Sequence, residues 1–328
     1  MKISPGLIRK TLVIFAVLFF IFSIYFYLNI KKEQKTLPHY SREELMQMLD
    51  KKTPSQVLAI LREEIISDES LANSCHGVAH EIGHHAYLKY GFSGAMSYED
   101  DVCGAGYIHG VIEEKFGFLK EDQLLNELNS VCLPANLNRC FHGVGHGLMF
   151  ALNGDVKKSL SFCDSYKEKS QRSNCYDGVF MHIFDDENTG INKVITHFED
   201  AFDFCSTFKT PYNNNCYFYA PRYKMSTESL DNIKKCESIT SSSLRVSCIV
   251  GSGVGFMKHH ITQEKEGENY CFVFKNVDAC FEGLIRYYNF HNELVYNSPE
   301  LCQNEAIKNK NKCYNVLKHM VAPTNVSQ

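Results

Sequence analysis

Cysteines recur in this chain as short pairs at a nearly regular period. The paired residues are 8 to 12 positions apart, and one pair follows the next about every 30 to 40 residues: Cys132/Cys140, Cys163/Cys175, Cys205/Cys216, Cys236/Cys248, Cys271/Cys280 and Cys302/Cys313. That period is typical of one helix–turn–helix unit in a repeat protein. The spacing therefore predicts an all-α body of disulfide-stapled helical hairpins, arranged as an open α/α solenoid or a closed toroid.

A short signature surrounds the second cysteine of each pair and defines the repeat more sharply. Eight copies begin at residues 74, 107, 140, 175, 216, 248, 280 and 313, with forms such as CFHGV, CYDGV and CFEGL. Each unit is predicted to contain a first helix, a polar loop and a second helix that opens at the signature. We expect the signature glycine, which costs about 1 kcal/mol in a helix, to permit close approach of neighbouring second helices.

The cysteines also predict a bonding pattern and a compartment. Each short pair is expected to form a disulfide across its loop, which leaves Cys75 and Cys103 to bridge adjacent hairpins by elimination. All 14 cysteines follow residue 74, their number is even, and no C-x-x-C pair occurs. This usage favours disulfides in an oxidising compartment over a cytosolic metal–thiolate site.

Metal-competent side chains occupy matching positions in the first three signatures. The second and sixth residues after the lead position lie one turn apart on one helix face, and there the chain has His76 and His80, His109 and Glu113, and His142 and His146. Imidazoles four residues apart can grip one metal ion, and a carboxylate completes a typical ligand set. The pattern predicts a metal site, against the alternative that these histidines only make buried hydrogen bonds between repeats.

The same two positions carry other chemistry in the later signatures. They are Asp177 and Met181, Phe218 and Arg222, Val250 and Val254, Glu282 and Arg286, and Asn315 and His319. Arg222, Glu282 and Arg286 are expected either to contact an anionic substrate or to form an ion pair within the cavity, with the ion pair favoured.

A second sequence pattern lies in the predicted helix that carries His76 and His80. Residues 80–84 read H-E-I-G-H, which resembles the metal-binding helix of zincin metalloproteases. The resemblance implies that His80 and His84 bind zinc and that Glu81 acts as general base on bound water. Any of His109, Glu113 or His142 would then supply the third ligand. It covers five residues, and the H-x-x-G-x-x-H extension of some zincins is missing, so it remains a secondary hypothesis.

The amino terminus predicts a membrane anchor. Residues 11–30 form an uncharged apolar run, long enough to span the bilayer core and followed by no small-residue cleavage site. We therefore expect residues 1–32 to comprise a cytoplasmic stub and a single-pass anchor in contact with membrane lipid. Residues 33–73 would form a linker and leading helices, near 42–49 and 54–66, and residues 74–328 the extracytoplasmic repeat domain.

These patterns favour an extracytoplasmic metal-dependent enzyme. A hydrolase using zinc-bound water is the leading hypothesis, with Glu81 and Glu113 as candidate catalytic carboxylates; histidines with one carboxylate would also suit non-haem iron. The alternatives are a non-enzymatic scaffold that holds a substrate or protein ligand on its concave face, and a metal storage or sensing protein. A formal net charge of −4 without a long basic run argues against nucleic acid as a partner.

Overall fold

The computed structural model describes residues 39–132, 138–184, 199–223, 225–260 and 264–290, together with 302–303, 310–311 and 313–314. The chain divides into two compact units, Met1–Tyr40 and Ser41–Gln328, and nearly all the described residues belong to the second. The predicted anchor, residues 11–30, lies outside the described residues. Among the helices that are described, none is both long and apolar enough to cross a membrane.

Every regular element in these ranges is helical, as predicted. The α-helices are α1 (Arg42–Met48), α2 (Pro54–Glu64), α3 (Glu69–Met96), α4 (Val102–Gly117), α5 (Glu121–Val131), α6 (Asn138–Ala151), α7 (Val156–Cys163), α8 (Lys169–Phe184), α9 (Ala201–Ser206), α10 (Tyr212–Tyr219), α11 (Met225–Ser238), α12 (Ser242–His259), α13 (Glu264–Cys271) and α14 (Val277–Phe290). A short 3₁₀ turn, Ala220–Arg222, follows α10 directly.

The two leading helices are fixed by their amino-terminal residues. Ser41 caps α1 in a capping box with Glu44, and Thr53 caps α2 in the same way with Gln56. Each box satisfies backbone N–H groups that a helix start would otherwise leave unpaired. Both helices lie where the sequence predicts them.

All seven predicted disulfides are present and use all 14 cysteines. In the short bridges that lie within the described helices, the first cysteine ends one helix and its partner lies in the next. Cys132, for example, is the C-terminal cap of α5, and its partner Cys140 lies in the first turn of α6. The bridge inferred by elimination, Cys75–Cys103, joins α3 to α4. So many disulfides fit an oxidising, extracytoplasmic compartment.

The signature-bearing helices pack against one another in chain order. Helix α3 packs against α4, and the series continues through α6, α8, α10 and α12 to α14. The signature glycines lie where these helices touch: a methyl group on Gly110 would overlap the carbonyl oxygen of His80, and one on Gly178 would overlap that of His142. The predicted close approach is confirmed, and it brings the side chains of successive signatures within reach of each other.

Candidate metal centre

The histidines of the first three signatures meet in the interior of the helical body. One donor atom from each of His76, His80, His109 and His146 lies within 4.8 Å of all the others. Two overlapping groups, His80/His84/Glu113 and Glu113/His146/His182, meet the same condition. The cluster arises because each signature helix presents its second and sixth positions on the face that packs toward its neighbour. It can hold a metal ion.

The first histidine pair has its ring nitrogens arranged as metal ligands. The Nδ1 atom of His76 lies 2.6 Å from the carbonyl oxygen of Cys103, and Nδ1 of His80 lies 3.2 Å from Oε2 of Glu113. Both acceptors lack protons, so each Nδ1 carries a hydrogen, and in the neutral ring each Nε2 then keeps a lone pair. The two Nε2 atoms face each other at 3.1 Å. Two lone pairs so close repel unless a cation lies between them.

A second pair on α6 has the same separation between its Nε2 atoms, although Nε2 of His142 also lies 3.2 Å from Sδ of Met181 and His142 belongs to none of the three groups. The Nε2 atoms of His142 and His146 are also 3.1 Å apart, and Nδ1 of His146 lies 3.4 Å from Oε1 of Glu113. Nitrogens bound about 2.1 Å from one ion lie roughly 2.9 Å apart at a right angle and about 3.4 Å apart at a tetrahedral angle. Both pairs fall inside that interval.

His109 lies between the two pairs. Its ring centroid is 5.3 Å from that of His76 and 4.8 Å from that of His142, and neither of its ring nitrogens has a hydrogen-bond partner among the described residues. The side chain is only 2% exposed. Buried ring nitrogens without a hydrogen-bond partner are rare in proteins, and a bound metal ion would satisfy one of them.

Burial favours the neutral form of His109, His142 and His146. Desolvation, reinforced by the neighbouring histidines, lowers the pKa of His109 and of His142 well below the usual value. For His146, burial outweighs the attraction of Glu113 and lowers the pKa to about 4. Neutral imidazole is the form that binds metals, so the cluster is ready to bind at neutral pH.

Glu113 lies behind the histidines as a shared acceptor. Although burial opposes its ionisation, the electrostatic influence of His80 and contacts with His146 and His182 lower the pKa of Glu113 well below the usual value. Its Oε2 atom lies 3.2 Å from His80, while Oε1 lies 3.4 Å from His146 and 3.7 Å from His182. One carboxylate therefore orients rings from both histidine pairs.

His84 is held by carboxylates on both sides of its ring. Its Nδ1 lies 2.6 Å from Oε2 of Glu114, and its Nε2 lies 2.9 Å from Oε2 of Glu113. Burial opposes protonation, but the hydrogen bonds to Glu113 and Glu114 raise the pKa of His84 to about 9. The ring is thus an imidazolium with both nitrogens donating, a state in which it has no lone pair to offer a metal.

Glu81 lies on the same helix but makes a different contact. Its carboxylate forms a two-point ion pair with the guanidinium of Arg42, and the Nε–Oε2 distance is 2.9 Å. Arg42 begins α1, so this pair joins the leading helix to α3. Glu81 belongs to none of the groups that could hold an ion among the described residues.

An unusual backbone segment presents the acceptor for His76. Cys103 and Ala105 have φ values of 54° and 62°, in the left-handed region, and Gly104 between them has φ 67°. Left-handed conformations cost energy for residues with a Cβ and persist where the surroundings fix them. Here the disulfide from Cys75 holds the turn, and the Cys103 carbonyl points at the ring of the adjacent His76.

Two residues close to the cluster fall outside the predicted register. Glu114 pairs with His84, and His182 lies 3.4 Å from His146, between the Nδ1 atoms. Each follows directly after a register position, Glu113 or Met181. That offset of one residue is the sequence signal for His182 at the edge of the site, and the same signal applies to Glu114.

A cavity of about 460 Å³ opens beside the histidines. His76, His109 and His142 line it, whereas His80 and His146 are not part of its wall. The remaining wall contains apolar, amide and charged side chains, with contributions from α3, α4, α6, α8, α10, α12 and α14. Its volume falls within the range typical of small-molecule sites, roughly 300–1,000 Å³.

Comparison with known proteins gives no relative. The chain matches no protein-family model, and neither the curated proteins nor the solved structures contain a significant match. The function must therefore be argued from the chemistry of the histidine cluster and of the cavity beside it.

Proposed function

We propose that the histidine cluster binds one divalent first-row metal ion. Its ligands are Nε2 atoms of His76, His80, His142 and His146, together with a ring nitrogen of His109. The single observation that carries the proposal is the pair of Nε2 atoms of His76 and His80, which face each other at 3.1 Å while both Nδ1 atoms lie against acceptors on α4. An all-imidazole set suits zinc, which we favour, and also suits iron.

The proposal extends to an enzyme because one side of the cluster faces the cavity. Three of the five ligands line the cavity wall, so an ion held by them would be within reach of a small molecule or of water. Catalytic sites keep such an accessible position, whereas structural sites are closed. A bound divalent ion lowers the pKa of coordinated water, and we therefore favour hydrolysis.

The surrounding residues have separate roles in this proposal. Glu113 fixes the tautomers of His80 and His146 and is not itself a ligand. The imidazolium of His84 balances the charge of Glu113 and Glu114. Glu81 has no catalytic role here, because its carboxylate is engaged by Arg42. The proposed site therefore does not use the zincin arrangement of His80, Glu81 and His84. It uses the histidines at the second and sixth signature positions.

We also propose a curved arrangement of the hairpins, tending to a closed ring. Residues of α3 and of α14, the first and last signature helices described, line the same cavity, which supports an arc of inner helices around it. Residues 11–30 would anchor this body to the membrane lipid, with the disulfide-rich part outside the cytoplasm.

Metal analysis of the oxidised full-length protein tests the binding site. We expect one equivalent of metal in the wild type, and loss of most of it in His76→Ala and in His142→Ala. His85→Ala is the matched control, because His85 lies on α3 one residue beyond His84 and is not one of the proposed ligands. Absence of metal under metal-replete conditions, or equal loss in the control, would refute the proposed site.

Cobalt substitution separates an enzyme from a storage or sensing protein. Co²⁺ reports its coordination through visible absorption bands, and added azide should shift those bands if a coordination position faces the cavity. Unchanged bands at saturating azide would mean a closed site, which favours storage, sensing or a purely structural role.

A further inference from the structure

The wall of the cavity away from the histidines is cationic. Among the described residues, four basic side chains and one carboxylate line the cavity. The basic residues are Arg139, Arg222, Lys258 and Arg286, and the carboxylate is Asp177. A cavity wall with this balance attracts anions, and the low dielectric of a cleft strengthens the attraction.

Two of these cations are built into the interior. Arg222 and Lys258 are each only 7% exposed, and charged side chains are rarely buried to this extent without a role. The guanidinium of Arg222 lies over the rings of Phe218 and Tyr219, with 4.8 and 4.3 Å to the centroids. Stacking on two rings holds the guanidinium in one orientation.

Arg286 approaches the same region from α14. Its guanidinium lies 5.9 Å from the Phe218 ring and is paired with Glu282 at 2.7 Å, while the side chain remains 42% exposed. Arg222 and Arg286 therefore approach the same Phe218 ring, and both line the cavity together with Asp177.

The cationic wall and the histidine cluster belong to one cavity. His142 and Arg222 both line it, so the two regions share one space. Apolar side chains of Met181, Phe218 and Val254 lie on the same wall. A ligand can therefore place a charged group at one end, an apolar body in the middle and a reacting bond near the histidines.

We propose that the cavity binds small organic anions, whose carboxylate or phosphate group is held by Arg222 and Arg286 while the rest extends toward the histidine cluster. The anion site itself needs only the arginines; the orientation toward a reacting centre rests on the proposed metal-dependent function. Guanidinium groups suit both oxyanions because they can donate two parallel hydrogen bonds.

Binding of three aromatic probes to the full-length protein tests this site. Phenyl phosphate and benzoate carry the two oxyanions, and benzamide supplies a similar ring without charge. Titration calorimetry should show that at least one oxyanion binds and that benzamide binds at least tenfold more weakly. Which oxyanion binds more tightly identifies the group that the site prefers.

Arg222→Gln and Arg286→Gln should each weaken binding of the preferred oxyanion by about 10- to 100-fold, the usual loss when a charge-assisted hydrogen bond is removed. Arg62→Gln is the matched control, because this arginine is similarly exposed (39%), is paired with Asp100 and lies outside the cavity. Arg286 is half-exposed, so its variant tests the site even if Arg222→Gln does not fold. Unchanged oxyanion binding in Arg286→Gln, or benzamide binding as tight as that of both oxyanions, would overturn the proposal.

The same titrations on the metal-stripped protein and on His76→Ala keep the two proposals apart. Oxyanion binding that persists in both, and falls in the arginine variants, supports the anion site even if the metal analysis fails. Oxyanion binding that is lost in the arginine variants while their metal content stays normal supports both proposals.

Discussion

Replacing Glu113 with glutamine changes one oxygen to an NH₂ group and should disrupt the histidine cluster without altering side-chain size. In the wild type, Oε2 accepts from His80 at 3.2 Å and from His84 at 2.9 Å, while Oε1 faces His146 at 3.4 Å. Glutamine presents a donor on one side. If the donor faces His146, that ring must turn a protonated Nε2 toward the cluster. If the donor faces His80, the His80 ring must instead turn a protonated Nε2 toward the cluster. In both cases one histidine no longer offers a lone pair to the metal.

The expected loss of metal affinity follows because one histidine ligand is no longer properly oriented. Removing an outer-shell partner of a metal-binding histidine typically weakens metal affinity by about 10- to 100-fold, or roughly 1.4 to 2.8 kcal/mol. The variant should still bind metal, because the other imidazoles keep their tautomers. The pocket should also keep its shape, since glutamine is nearly isosteric with glutamate.

Competition with a chromophoric chelator measures the dissociation constant directly. Glu114→Gln is the matched control: it makes the same chemical change one residue along α4 and contacts the cluster through His84 alone. We expect the control to stay within about threefold of the wild type, since His84 is not a ligand. Equal affinities for wild type and Glu113→Gln, or equal losses in both variants, would refute the assignment of Glu113 as the residue that orients the ligands.

Further predictions concern the bridges and the cavity carboxylate. Replacing both cysteines of Cys163–Cys175, or both of Cys75–Cys103, with serine should lower stability. For the short Cys163–Cys175 loop the chain-entropy estimate is about 3 kcal/mol. Only loss of Cys75–Cys103 should also weaken metal binding, because Cys103 presents the acceptor of a ligand ring; equal metal affinities in chelator competition would contradict this. Burial raises the pKa of Asp177 to about 6. A raised folded-state pKa favours the neutral form, so stability should fall as the pH rises from about 4 to about 6, by up to about 3 kcal/mol relative to Asp177→Asn. Urea unfolding of both metal-free proteins at pH 4 and pH 7 measures this difference, and parallel pH dependence would contradict it.

Much of the framework was predictable because it is encoded locally. A disulfide across a ten-residue loop needs only a helix end and the next helix start, so spacing identifies Cys132–Cys140 and its equivalents. The capping boxes at Ser41 and Thr53 likewise depend on residues three positions apart. Helix spacing also placed His76 and His80 on one face, since residues four apart are neighbours on any α-helix.

The roles within the cluster were not predictable in the same way. Glu81 and His84 share a five-residue motif with His80, yet one pairs with Arg42 and the other with Glu113 and Glu114. Those partners are 29 to 39 positions away along the chain. No local pattern specifies which of several carboxylates packs beside a given ring, because that depends on how α1, α3 and α4 are oriented.

The sequence by itself determined the helical hairpins, their bridges and the face on which the histidines lie, because each depends on periodicity or on short spacing. The tertiary structure decided which nitrogens keep their lone pairs, since the acceptors come from other helices: the carbonyl of Cys103 and the carboxylate of Glu113. It also brought Arg222 and Arg286 into the same cavity as the histidines. Both results follow from packing between helices that are distant in sequence, where the free energy of burial, rather than local propensity, selects the contacts.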